Sequence, residues 1–98
     1  MRDPKVLEQV KSTLALLTAK APGRAIEVRI PPYAAVQCGD GPLHTRGTPA
    51  NVVEMNAQTW LALAAGDIQW SEALNDGAIS ASGVRADLTQ YLPLRITS

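Results

Sequence analysis

Residues 56–94 read NAQTWLALAAGDIQWSEALNDGAISASGVRADLTQYLPL, and three glycines, Gly66, Gly77 and Gly83, punctuate the stretch. Asn56 suits an N-cap, because its side-chain oxygen can accept from N–H groups one turn on. The pattern predicts a short helix over 59–65, with Trp60, Leu61, Leu63 and Ala64 on its apolar side. Gly66 fits the left-handed position that ends a helix. A second helix is expected over 68–75, with Ile68, Trp70 and Leu74 as its apolar residues and Gly77 as its stop. Ala78 to Ser82 alternates as a strand does, although its small residues have low strand propensity. Gly83 allows a sharp reversal. A last helix is expected over 85–92, where Leu88 and Leu92 stand at i, i+4 beside Tyr91 and Pro93 ends it. A succession of helix, helix, strand and helix with few reactive side chains suits a wall around something apolar.

The chain before this stretch supplies the rest of the framework. Asp3-Pro4 is a helix start, with a capping carboxylate followed by a proline suited to the first turn. Leu7, Val10, Leu14 and Leu17 then recur at helical spacing until Ala21-Pro22-Gly23, so a helix is expected over about 4–20. Residues 25–30 alternate: Ile26, Val28 and Ile30 point one way, Glu27 and Arg29 the other, as in a strand with one wet face. Pro31-Pro32 cannot donate to a ladder, which implies a bulge or an edge position. Tyr33 to Cys38 resumes extended structure with Ala34, Val36 and Cys38 on one face. Residues 39–49 are dense in turn formers, with room for one short strand around 44–46. A further strand is expected over 51–55, with Val53 and Met55 facing the core.

Helices at both ends and strands between them give an α+β class. Strands close in sequence, without long helical crossovers, predict a mainly antiparallel sheet of about five strands with helices on one face. The expectation is one domain over residues 1–98. Nine basic and nine acidic residues cancel and no Lys/Arg run occurs, so the long-range field that draws nucleic acid or acidic membranes is missing. Cys38 is the one cysteine, which excludes an intrachain disulfide and points to a reducing compartment. The first residues lack the apolar core of a signal peptide, and no apolar run is long enough to span a membrane. The expected setting is cytoplasmic, without stable membrane insertion. The chain has no Phe, two Trp and two Tyr, so its core must be mostly Ala, Leu, Val and Ile.

From Val53 to Leu94 the ordered set becomes recognisable: the strand Val53-Glu54-Met55, the cap and helix 56–65, Gly66 with Ile68 two residues on, Asn75-Asp76-Gly77, the strand and turn 78–83, and Leu92-Pro93. It resembles the sterol carrier protein type 2 family. The upstream segments EVRIPPYAAVQC and GPLHTRG are similar to its small bacterial orthologues in particular. The resemblance covers most of the chain. It implies a mixed sheet of about five strands covered on one side by helices, with an apolar tunnel between the layers. Family members bind or transfer lipids such as sterols, fatty acids and acyl-CoA, have no universal catalytic residues, and in some cases are accessory domains of enzymes.

The leading expectation is therefore a non-enzymatic carrier of a lipid or other small hydrophobic ligand, with no cofactor. Val28, Val36, Val53, Trp60, Leu63, Ile68 and Leu74 are the candidate cavity walls. His44 and Arg46, in the glycine-rich loop, are candidate contacts for an anionic head group. The alternative is a structural or interaction domain with a filled core, acting as a homodimer or as an accessory subunit of an enzyme. A third reading is an enzyme that pairs Cys38 with His44, the one histidine. Against it, Cys38 shares the predicted buried face with Ala34 and Val36, where cysteine behaves as a small hydrophobe. One His and one Cys without clustered carboxylates do not make a metal site. Gly39-Asp40-Gly41 lacks the Lys-Ser/Thr ending and following helix of a phosphate loop. Glu27, Arg29 and Glu54 suit weak cross-strand pairs on the wet face and not an acid–base couple.

Overall fold

Asp3 opens the first helix as expected, its carboxylate accepting from the Lys5 N–H at 2.9 Å with Pro4 in the first turn. The computed structural model describes residues 3–41 and 51–94. In chain order these form α1 (Pro4–Lys20), β1 (Ile26–Ile30), β2 (Ala34–Cys38), β3 (Val52–Met55), α2 (Ala57–Ala65), α3 (Trp70–Asn75) and β4 (Ile79–Ser82). A single 3-10 turn, Thr89–Tyr91, follows.

The described strands form one four-stranded sheet in the order β2-β1-β3-β4. β1 pairs antiparallel with β2, and β3 with β4, but β1 and β3 run parallel. The sheet is thus mixed, as the resemblance implies: two of its three pairings are antiparallel, and the parallel β1–β3 pair is the departure from a mainly antiparallel sheet. After the β1–β2 hairpin the chain returns to the far side of β1 and runs in the same direction. The fifth strand expected around 44–46 lies outside the described residues. Pro31-Pro32 is neither a bulge nor a strand edge. It forms the hairpin turn that brings Ile30 opposite Ala34, closed by the Tyr33 N–H donating to the Ile30 carbonyl at 2.8 Å.

Two differences fall in the C-terminal half. α3 begins at Trp70, with Ile68 and Gln69 outside it; the Gln69 N–H donates to the Glu72 carboxylate at 3.2 Å, which sets the helix start there. The expected helix over 85–92 shrinks to the 3-10 turn. Asp87 accepts from both the N–H and the hydroxyl of Thr89, a local bond that competes with helix. Leu92 is extended (φ −107°, ψ 149°), the conformation that a following proline favours.

The core lies between the sheet and the helices. α1 buries Val10, Leu14 and Leu17, each worth about 1.5–3 kcal/mol against exposure. From the sheet come Ile26, Val28, Ile30, Val53, Met55 and Ile79, and from α2 Trp60 and Leu63, all buried. Gly66 ends α2 with φ 84°, as its position predicts. Gly23 has a tighter role: a Cβ there would sit 1.9 Å from the Gly39 carbonyl oxygen, so the α1–β1 linker can cross the end of β2 only without a side chain.

The one buried polar residue among those described is Asn51, 5% exposed. Its amide donates to the Ala25 carbonyl at 2.9 Å, and its side-chain oxygen accepts from the Arg85 N–H at 2.8 Å. One side chain thereby ties the start of β1 to the loop after β4. Asn51→Ala should strand both backbone partners and lower stability by about 2–3 kcal/mol; urea unfolding with an unchanged m-value is the check. Asn51→Asp should also destabilise, because a carboxylate cannot donate to the Ala25 carbonyl.

Candidate ligand-binding groove

α1 and α2 pack against each other over the sheet. Trp60, the largest fully buried side chain, sets how they meet. Its indole N–H donates to the Thr13 hydroxyl at 2.8 Å, and that hydroxyl donates in turn to the Gln9 carbonyl at 2.7 Å. A buried indole needs such a partner. Between α1 and α2 lies an open groove of about 650 Å³. Leu16, Leu61, Ala64, Ala65 and Leu94 give it an apolar lining, and Glu8, Gln9, Ser12, Thr13 and Asp67 edge it. Ala64 and Ala65 are too small to fill the space. Leu94 is held beneath by its N–H donating to the Ala64 carbonyl at 2.9 Å. Along α1 the groove runs from Glu8 to Leu16, about 12 Å of helix.

The predicted wall residues separate into three places. Val36, Val28 and Val53 form one row across β2, β1 and β3, facing the helices. Val28, Val53 and Trp60 have no exposed surface, and Leu63 is 2% exposed. Ile68 is half-buried beside Trp70, Leu92 and Pro93 at a recess of about 40 Å³. Leu74 stands apart on α3, 42% exposed. His44 and Arg46 lie outside the described residues. The lining of the groove comes instead from Leu16, Leu61, Ala64, Ala65 and Leu94. Leu16 was the readable signal: it is a hydrophobe off the Leu7/Val10/Leu14/Leu17 stripe and remains 41% exposed.

A second cleft, of about 360 Å³, is bordered by Asp40, Arg85, Asp87, Thr89, Gln90 and Tyr91. It is smaller, and Ala25 and Ile26 add an apolar part to its lining. On the other face of the sheet Glu27 pairs with Arg29 of its own strand, so this ion pair runs along β1 and not across strands. Among the described residues no group of three His, Cys, Asp or Glu side chains could hold a metal ion. No helix among them is long and apolar enough to cross a membrane.

The mixed sheet, the helices confined to one face and the glycine-ended α2 accord with the family indicated by the sequence. The chain matches the family model described as "Bacterial SCP ortholog" over residues 3–94. It belongs to the bacterial sterol carrier protein orthologues. Comparison with curated proteins gives no match. The family is generally non-enzymatic, and a sterol carrier-like domain is the coarse functional assignment that follows.

Cys38 fits that assignment. It is fully buried at the end of β2, and burial pushes its thiol from 9.0 up to about 11. A neutral thiol without solvent access is a packing group. In the folded protein it should react with a maleimide at neutral pH at least roughly a hundredfold more slowly than in the urea-unfolded chain. The raised value also has a consequence for stability. Between about 9 and 11 the unfolded chain releases the thiol proton while the folded chain retains it, so this contribution to stability falls as pH rises through that window. Cys38→Ala should flatten that part of the pH–stability curve measured by thermal melts.

Proposed function

We propose that this orthologue is a non-enzymatic carrier of small hydrophobic molecules, and that the α1–α2 groove is where the ligand lies. The single observation that supports the reading best is the groove itself: an open apolar trough, floored by alanines, in a protein of a carrier-like family. Its volume falls in the usual range of small-molecule sites, roughly 300–1,000 Å³. Covering roughly 100 Å² of apolar groove surface would contribute about 2.5 kcal/mol, and the apolar surface of the ligand a similar amount, before ordering costs. A single alkyl chain or a similarly slender lipid suits a trough between two helices. Val28, Val36, Val53, Trp60 and Leu63 then act as the packed bed beneath the ligand, and a ligand that reached them would have to part α2 from the sheet. The carrier works as one domain in the cytoplasm and needs no cofactor.

The alternative, a partner-binding domain with a filled core, draws on the close-packed row Val28, Val53 and Trp60. The two readings separate by experiment. Trp70→Phe leaves Trp60 as the sole tryptophan, hydrogen-bonded to the edge of the groove. Titration with a long-chain fatty acid and with its alcohol should give saturable changes in Trp60 emission. Leu16→Glu and Ala65→Phe, both at exposed positions, should weaken binding by about tenfold or more without unfolding the chain. Absence of saturable binding, together with no lipid co-purifying in native mass spectrometry, would reject the carrier reading.

A further inference from the structure

β4 ends the sheet. Its inner edge pairs with β3 in the register Val53↔Ala81 and Glu54↔Ser80, and among the described residues no strand pairs with its outer edge. A strand edge of this kind presents a row of free N–H and C=O groups, which proteins usually blunt with charge, proline or a bulge. Among the described residues β4 itself carries none of these devices. From Ala78 to Val84 the sequence is AISASGV, without a charge or a proline, and Ser80, Ala81 and Ser82 are exposed. Of the large hydrophobic side chains exposed among the described residues, two flank this edge: Leu74 on α3, which packs on β4, and Val84, which is 101% exposed just beyond it.

We infer that the β4 edge is the interface of a homodimer, in which two copies join their sheets through an antiparallel β4–β4 pair. The occupant follows from symmetry and charge. An antiparallel pair of identical strands is related by a two-fold axis perpendicular to the sheet, and such an interface must complement itself. With the axis between Ser80 and Ala81, Ser80 faces Ala81 of the other copy and Ile79 faces Ser82, so a charge near the middle of the strand would lie beside its own copy; the absence of charge from Ala78 to Val84 removes that penalty. The same axis keeps the helical layers of both copies on one side, so α3 approaches its mate and Leu74 gains an apolar neighbour. The two strands of smallest side chains allow close approach of the backbones. α1 packs nearer β2, at the other end of the sheet, so the dimer leaves both α1–α2 grooves open.

Analytical ultracentrifugation across a concentration series tests the inference. The wild type should sediment at twice the 10.4 kDa chain mass and dissociate on dilution. Ser80→Lys and Leu74→Glu, both at exposed positions, should each weaken self-association by about tenfold or more. Leu16→Glu, in the groove, should leave it unchanged. Amide exchange at Ile79–Ser82 should slow as protein concentration rises. A wild type that stays monomeric at the highest soluble concentration overturns the inference. So does a dimer that persists with unchanged affinity in both Ser80→Lys and Leu74→Glu.

Discussion

The hydrogen bond from the Trp60 indole to the Thr13 hydroxyl governs how the helical layer is assembled. In a chain without phenylalanine, Trp60 is the largest fully buried side chain among those described. Its polar edge must be satisfied where it is buried, and Thr13 on α1 satisfies it. This constraint positions α2 against α1. With the contact made, the short side chains of Ala64 and Ala65 leave the trough above it unfilled. The groove is thus a by-product of one large residue in a neighbourhood of small ones.

Asn51 plays the corresponding part at the sheet. The parallel β1–β3 pair sets the start of β3 beside the start of β1, and buried backbone groups there need partners. Asn51 supplies one to Ala25 and one to Arg85. Gly23 and Gly39 add a steric term, since their backbones meet too closely for a side chain at Gly23. Together these residues hold the end of the sheet that is away from the Pro31-Pro32 turn. The core can therefore be built from modest aliphatic residues and still be closely packed.

Much of this architecture was legible in the sequence. The α1 boundaries, the alternation of β1, the faces of β2 and β3, the Asn56 cap and the Gly66 stop all follow from local chemistry, and the structure agrees with each. The 85–92 segment was misread because i, i+4 spacing of Leu88 and Leu92 is a weak signal over so few residues. Asp87 and Pro93 act against it with specific bonds and sterics. Pro31-Pro32 was misread because a run of two prolines is compatible with a bulge, an edge or a turn, and only strand pairing distinguishes them.

The groove was the least legible feature. Trp60 and Leu63 could be recognised as large apolar residues, but periodicity cannot tell a core residue from a cavity wall. Leu16, Leu61, Ala65 and Leu94 come from three separate segments and share a surface only because α2 lies beside α1 and the Leu94 N–H bonds to Ala64. Local patterns of polarity, capping and glycine placement thus dictated which segments are helix and which are strand, because those patterns act within a turn or two of chain. The parallel pairing of β1 with β3, the bridging role of Asn51 and the open trough between the helices arose only on assembly, because each depends on contacts between residues far apart in sequence.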